Sequence, residues 1–407
     1  MTTKGQLQGR PVQPPAHIAL QPICDRDFRH RTDALLYRHS ATAQQAVIID
    51  PTHATASAVL LAIYEIGITQ LVGDRDLLIK APLTWLTDSD LLPTADAQLV
   101  LEINASDQPE PGLLNQLALA GYRLCLSCED WPLNDDISVF EAVKIPAAIV
   151  EHEETRLSVL KKRLPNLTFI AHRVADLDQF DRCRNAGFDR FQGFFYSAPT
   201  TLNKKSQQGN ANRQILLRIL QELHQAEPDV QKISSLLTQL PQATLLLLKR
   251  ANSAGLARVR QIRNVSEALM RLGLADIKTL MASLLITDMG GCSGLLLPDI
   301  LTRAAFCRAV SQSDSTLDVE TAFSVGLLSH LPDMLGMSTN DMLQQLSVSD
   351  EIDLALRHRQ GAYGRLLRLA EAYEAAELSP QNRDMIARLN HLYLHARAWT
   401  QALLNVL

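Results

Sequence analysis

The chain of 407 residues is 46% hydrophobic and 20% charged, a composition typical of folded proteins that excludes a disordered one. Its formal net charge of −5 gives no overall basic field, so nucleic acid is not an expected partner. No apolar run is long enough to cross a membrane and the N-terminus shows no secretory pattern, so we expect a cytoplasmic protein with reduced cysteines.

The first half of the chain alternates strand-like and helix-like segments. Residues 1–16 are polar and proline-rich and are predicted to form a flexible leader. Over residues 17–199, short apolar runs alternate with amphipathic stretches, which indicates βα units and a parallel sheet. Gly67, Gly121 and Gly187 follow helical stretches, where a glycine lets the chain turn into the next strand. We therefore predict an α/β barrel over 17–199, a length that is short for eight typical βα units.

The second half is predicted to be all-helical. Residues 200–213 are polar, small and basic and form the best linker in the chain. Beyond them, over 214–407, apolar residues recur at spacings of three and four, which predicts consecutive helices. The apolar face of residues 380–405 is assigned to core packing or domain docking. The leucine-rich surfaces fit either docking onto the barrel or a homo-oligomer.

Several short motifs in the first half follow the order and spacing of a known family. They are Gln21-Pro22-Ile23, Ala34-Leu35-Leu36-Tyr37-Arg38, Leu101-Glu102-Ile103, Val143-Lys144-Ile145 and Phe191-Gln192-Gly193. Through these motifs the segment resembles a short, divergent branch of the EAL domains, which bind and hydrolyse cyclic di-GMP. The resemblance implies a barrel of EAL type with its site at the carboxyl ends of the strands. It also implies a vestigial ligand-binding set, which comprises Gln21, Arg38, Glu102, Lys144 and Gln192.

Most positions that bind metal in EAL enzymes are replaced in this chain. Active members are understood to use two divalent cations, which need several oxygen ligands. Aligned with the family, the signature glutamate is Ala34, although Asp33 lies beside it. The other replaced positions hold Lys80, Ser127, Cys128, Pro146, His172 and Ala175. Because the single retained carboxylate, Glu102, cannot hold two metal ions, we predict no catalytic residue, no metal and no cofactor.

Two isolated signals in the barrel are assigned structural roles. Cys125 and Cys128 have the spacing of a metal or redox pair, but no second cysteine pair exists. Alternation along a strand places their sulfur atoms on opposite faces. His172 has no obvious acid or nucleophile partner in the sequence, so we interpret it as a structural histidine.

The most specific family resemblance lies in the second half. The motif Leu240-Pro241-Gln242-Ala243, the leucine-rich run that ends at Asn252-Ser253 and the helix that ends at Gly273 resemble HDOD domains. The fold signature consists of Pro241, Asn252, Ser253 and Gly273. Asn252 and Ser253 are placed to cap or bridge the end of a helix, and Gly273 is placed to end the next one.

HDOD domains are named for their likeness to HD phosphohydrolases, in which a His-Asp pair holds a metal. Here Ser329-His330 stands at that position, with Asp333 nearby. No other cluster of histidines or carboxylates accompanies them, so no metal site is predicted.

The combined resemblance implies a bacterial signalling protein of the fused EAL and HDOD type. We predict a non-catalytic regulator whose helical domain binds other signalling proteins, with family links to motility, surface attachment and biofilm control. Two alternatives stay open. The chain could be a cyclic di-GMP receptor without hydrolysis, which would depend on Arg38. It could also be a residual cyclic di-GMP phosphodiesterase, which would need Asp33, Glu102 and further carboxylates.

Overall fold

The structure is a computed structural model, and the residues it describes fall into twelve ranges. These are 17–38, 59–88, 92–129, 137–196, 207–225, 227–252, 262, 264–288, 294–332, 338–346, 348–379 and 381–405. The predicted leader, Ser253 and Asp333 lie outside them. Of Arg38, only the backbone at the end of a strand is described.

Within these ranges, eight strands form one closed barrel in sequence order. The strands are β1 (His17–Asp25), β2 (His30–Arg38), β3 (Asp76–Lys80), β4 (Leu99–Asn104), β5 (Arg123–Ser127), β6 (Ala142–Pro146), β7 (Thr168–Val174) and β8 (Arg190–Gly193). Strand β1 runs antiparallel to both of its neighbours, β2 and β8, whereas the remaining pairs are parallel. The predicted α/β barrel is confirmed, and it closes despite its short length.

Short helices connect the strands on the outside of the barrel. They are a π-helix (Leu60–Ile66), α1 (Ile68–Val72), α2 (Leu83–Thr87), α3 (Pro111–Leu119), α4 (Val150–Arg163) and α5 (Leu177–Ala186). Gly67, Gly121 and Gly187 have φ angles of 95°, 92° and 112°, a region that costs other residues energy. The predicted turn into the next strand is confirmed for Gly121 and Gly187, which precede β5 and β8, but it is wrong for Gly67, which leads into helix α1.

The remaining helices form the second domain. They are α6 (Gln207–Leu223), α7 (Val230–Leu237), α8 (Pro241–Ala251), α9 (Val265–Asp288), α10 (Leu297–Ser311), α11 (Val319–Leu328), α12 (Thr339–Leu346), α13 (Asp350–His358), α14 (Gly361–Glu374) and α15 (Arg383–Leu404). Helix α6 begins at Gln207, inside the stretch 200–213 that the composition marked as a linker. The all-helical prediction for this half is confirmed over the residues that the structure describes.

Each domain has its own apolar core, and the last helix joins them. The helical domain packs around residues such as Leu220, Phe306 and Phe323, whereas Leu394 of α15 belongs to the apolar cluster of the barrel. Helix α15 lies against β1, α1 and the π-helix. Domain docking, one of the two roles predicted for residues 380–405, is therefore observed. No helix in the described ranges combines the length and apolarity needed to cross a bilayer.

Candidate functional site

The interior of the barrel is layered, because successive residues of a strand point to opposite faces. One apolar layer takes a side chain from each of seven strands: Ile23, Ala34, Leu78, Val100, Cys125, Ala142 and Ile170. Two residues further towards the carboxyl ends of the parallel strands, the inward-facing residues are mostly polar. We call this polar layer the barrel mouth. Its members are Gln21, Lys80, Glu102, Ser127, Lys144, His172 and Gln192.

A buried ion pair occupies the barrel mouth. Nζ of Lys144 lies 2.9 Å from Oε2 of Glu102, and the two side chains are only 6% and 5% exposed. Burial opposes ionisation of Glu102, but Lys144, Lys80 and a hydrogen bond from Ser127 hold the pKa of its carboxyl below the usual value. Glu102 is the one carboxylate retained at the positions where the family resemblance implies metal ligands, and Lys144 already neutralises its charge.

The structure brings four of the five predicted ligand-binding side chains into this layer. Besides Glu102 and Lys144, Nε2 of Gln192 donates a hydrogen bond to Oε1 of Gln21 over 2.8 Å. Oε1 of Gln192 is buried and has no hydrogen-bond partner among the described residues. The fifth residue, Arg38, ends β2, and its side chain lies outside the described part of the chain.

His172 contributes a neutral imidazole to the mouth. Burial, together with the nearby Lys144 ammonium, lowers the pKa of His172 to about 4. Its Nε2 atom is buried, and the described residues offer it no hydrogen-bond partner. The other ring nitrogen donates to the backbone of Cys128, so Nε2 of the neutral ring carries a lone pair and can accept one hydrogen bond from a ligand at the mouth.

Asp33 does not lie at the mouth. Its side chain is fully buried outside the barrel, where its carboxylate oxygens are 2.9 Å from Nε of Arg75 and 2.8 Å from Nη2 of Arg397. Burial opposes its ionisation, but His30, Arg75 and Arg397 outweigh that cost and hold the pKa of Asp33 well below its usual range. A shift of one residue in the family alignment would therefore place no carboxylate in the site.

The remaining carboxylates near the mouth are dispersed. Asp107 and Glu129 line the same cavity of about 420 Å³ as Glu102. Glu129 is paired with Nη1 of Arg173 at 2.7 Å. Among the described residues, no three His, Cys, Asp or Glu ligand atoms in this cavity come within 4.8 Å of one another. The side chains present do not fit the two divalent cations that the family resemblance implies.

The two cysteines with metal-like spacing lie on opposite faces of the β5 region, as predicted. Cys125 belongs to the apolar layer inside the barrel, and Cys128 belongs to the core between the strands and the outer helices. Burial raises the pKa of the Cys128 thiol to about 12 and holds the pKa of the Cys125 thiol well above its usual value. They cannot bind one metal ion together in this arrangement.

In the helical domain, the predicted signature residues stabilise helix ends. Pro241 opens α8, and Asn252 follows its last residue. The Asn252 side chain donates to the carbonyl oxygens of Leu248 and Ile262 and accepts from the N–H of Ile262, over 2.8–2.9 Å. Gly273 has φ 78° and ψ 163°, which breaks α9 into two helical segments. These contacts agree with the bridging and helix-ending roles expected from the sequence.

His330, which with Ser329 stands where HD phosphohydrolases have their His-Asp pair, faces the barrel. His330 lines a cavity of about 180 Å³ between the domains, together with Asp299 and Arg303 of α10 and Gln21 of the barrel mouth. Burial, with Arg303 close by, lowers the pKa of His330 to about 3, so the imidazole is neutral. The hydroxyl of Ser329 donates to the carbonyl of Gly326 instead of facing a metal.

A buried charge network between the domains was missed in the sequence. Arg397 of α15 is 1% exposed and contacts both Asp33 and, at 3.2 Å, Oδ1 of Asp299. Nη2 of Arg75 donates to Oε1 of Gln401 over 2.8 Å. An arginine on the core-facing side of a helix is a sequence signal for such a pair, because a buried charge needs a partner. Its partner on β2 could not be identified without the fold.

Comparisons with known proteins agree with this two-part organisation. The HDOD domain family model matches residues 211–353. The cyclic di-GMP phosphodiesterase CdgJ of Vibrio cholerae is 26% identical over 376 residues, covering 89% of this chain and 85% of that protein. The uncharacterized protein YuxH of Bacillus subtilis is 24% identical and covers 95% of this chain and 98% of its own length.

Solved structures also match the chain in part. BlrP1 of Klebsiella pneumoniae, in a complex with manganese and cyclic di-GMP, has a TM-score of 0.36 and 17% identity, covering 46% of this chain and 56% of that one. The FimX EAL domain has a TM-score of 0.34 and 16% identity, covering 44% of this chain and 89% of its own. Scores this low add nothing to the identification, which depends on the sequence matches and the observed fold. The chain therefore carries an HDOD domain behind a closed eight-stranded barrel, and its similarity to CdgJ extends across both parts.

Proposed function

We propose that this chain is a non-catalytic regulator of cyclic di-GMP signalling, in which the barrel does not hydrolyse the nucleotide. The observation that carries the proposal is the composition of the barrel mouth. Ala34 lies in the apolar layer, and Glu102 is neutralised by Lys144. Ser127 and His172 stand where the family resemblance implies carboxylates. Two divalent cations held side by side need more negative charge than this layer supplies.

The regulatory part of the proposal is supported by the cavity between the domains. Gln21 hydrogen-bonds within the mouth and also lines the cavity that His330 faces. A ligand or partner that changes the mouth therefore acts on a side chain shared with the helical domain. A protein partner of the helical domain and links to motility and biofilm control extend this proposal from the family resemblance.

The test is a hydrolysis assay on the full chain with cyclic di-GMP and either Mg²⁺ or Mn²⁺. We expect no linear dinucleotide product, and the same result for Glu102→Gln. A metal-dependent turnover that disappears in Glu102→Gln would overturn the proposal and establish the residual phosphodiesterase, the activity that the name of CdgJ favours. The comparison with Glu102→Gln separates turnover at this mouth from a contaminating enzyme.

A second candidate is a cyclic di-GMP receptor without hydrolysis. It is favoured by the two lysines at the mouth, Lys80 and Lys144, and by the unpartnered atoms of His172 and Gln192. Isothermal titration calorimetry in the absence of divalent metal tests it. Saturable binding that is weakened by Lys80→Ala or Arg38→Ala would establish the receptor. Absence of heat would reject it and direct attention to protein partners.

A further inference from the structure

Two histidines on α15 and one glutamate of the barrel converge on the outside of the domain junction. His391 and His395 are one helical turn apart, and their Nε2 atoms are 3.1 Å from each other. Oε1 of Glu65, near the end of the π-helix, lies 2.7 Å from Nε2 of His391. Among the described residues, this is the one group of three His, Cys, Asp or Glu ligand atoms that all lie within 4.8 Å of one another.

The geometry matches the coordination sphere of a small transition-metal ion. Zn–N distances of about 2.0–2.1 Å and tetrahedral angles place two ligand atoms about 3.3 Å apart. The observed separations of 3.1 Å and 2.7 Å are close to this value. Two histidines at positions i and i+4 of a helix present their rings on the same side, as in helical zinc sites. The two ring centroids are 4.2 Å apart.

Hydrogen bonding alone satisfies this group poorly. Nε2 of His391 is within hydrogen-bonding distance of both a carboxylate oxygen and the Nε2 atom of His395, yet a neutral ring nitrogen carries one hydrogen at most. One hydrogen must therefore serve two acceptors at the same time. A divalent cation between the three atoms would use all three lone pairs.

We propose that Glu65, His391 and His395 bind one borderline divalent transition-metal ion, of which Zn²⁺ is the representative. Imidazole ligands select this class over Mg²⁺ and Ca²⁺, which prefer oxygen. The set of two histidines and one carboxylate leaves a fourth position for water or for a donor from a partner. The side chains of His391 and Glu65 are each 45% exposed, so an ion reaches them from solvent.

The site also bridges the two domains. Glu65 belongs to the barrel, whereas both histidines belong to the last helix of the helical domain. A bound ion adds a link across the junction that is made only when the domains are docked. Metal binding therefore stabilises the docked arrangement. At a free concentration 100 times the dissociation constant, it should raise the unfolding midpoint by about 3 °C.

The experiment is calorimetric titration of the tag-free, chelator-treated full chain with Zn²⁺ and, separately, with Mg²⁺. We expect one Zn²⁺ per chain and no heat from Mg²⁺. The five described cysteines are buried and do not compete for the ion. His391→Ala and His395→Ala should each weaken binding by more than about tenfold, since even residues behind metal ligands have effects of that size. His358→Ala, which removes an exposed histidine from α13, is the matched control and should bind normally.

Two outcomes would overturn the proposal. Zinc affinity unchanged in both α15 variants would show that the ion binds elsewhere. Full affinity in Glu65→Gln would show that the ion does not bridge the domains. Because all three side chains reach the solvent, these variants are expected to fold. Circular dichroism before titration checks this, and Co²⁺ absorption gives a second readout of the ligand geometry.

Discussion

Replacing Asp33 by asparagine is the sharpest test of how the two domains are held together. Asp33 is 0% exposed and its carboxylate contacts Arg75 and Arg397, while Arg397 itself is 1% exposed. Asparagine keeps the shape but removes the charge, and it leaves two arginines without their shared counter-ion. Breaking a buried ion pair in this way costs about 3–5 kcal/mol, because Arg75 loses its counter-ion and Arg397 keeps only Asp299, at 3.2 Å.

This free energy converts into a measurable temperature. An unfolding entropy of about 2.1 cal/mol/K per residue gives roughly 0.85 kcal/mol/K for this chain length, so we expect the unfolding midpoint to fall by about 4–6 °C. The assay is thermal unfolding at pH 7.5, followed by circular dichroism and by tryptophan fluorescence. Midpoints are compared instead of extrapolated free energies, because a chain of two domains need not unfold in one step.

The matched control is Asp27→Asn on the β1–β2 hairpin. Asp27 faces Arg29 at 3.8 Å, and its side chain is 72% exposed, so solvent already screens that pair. A double variant with Arg397→Gln should lose less stability than the two single variants combined, since their effects act on one interaction. If Asp33→Asn shifts the midpoint no more than Asp27→Asn, the inferred role of the buried network is wrong.

Two further predictions concern single side chains. Asn252→Ala removes three hydrogen bonds and leaves the buried N–H of Ile262 unpaired, so urea unfolding should show a free energy of unfolding that is lower by about 1–3 kcal/mol. A decrease no greater than that caused by Ser235→Ala, at an exposed position, would contradict this prediction. His172 has a folded pKa of about 4 and a usual value of 6.5, so a falling pH protonates the unfolded chain first. Stability should therefore fall by up to about 3 kcal/mol between pH 6.5 and 4, and His172→Gln should lessen the decrease. An equal pH dependence in that variant would refute the assignment.

The barrel and most of its mouth were predictable because strand alternation fixes which residues share a face. Glu102 and Lys144 were identified from motifs that stand 42 positions apart, and the structure brings them to 2.9 Å. Parallel strands place their carboxyl ends at the same rim, so residues at matching positions of successive strands meet without any further information. The same rule correctly separated Cys125 from Cys128.

The contacts between the domains were not predictable in the same way. Asp33 and Arg397 are separated by more than 360 positions, and no local periodicity specifies which barrel strand α15 covers. Docking also uses backbone groups of Ile18. Its N–H donates to the side chain of Asn390, and its carbonyl oxygen accepts from the hydroxyl of Tyr373. A polar residue on an apolar helix face indicates that a partner exists, but the identity of the partner depends on the packed fold.

Two adjacent residues of β2 face opposite sides of the barrel wall, one towards the interior of the barrel and the other towards the helical domain. Ala34 points inward, at the position where the family resemblance implies a metal-binding glutamate, whereas Asp33 points outward and holds Arg397 of α15. Because successive side chains face opposite sides of a strand, a substitution on the inner face leaves the outer contacts in place. A barrel can therefore lose its metal ligands and still anchor the helical domain. Under the proposed function, the outer face of β2 explains why the barrel is retained ahead of the HDOD domain.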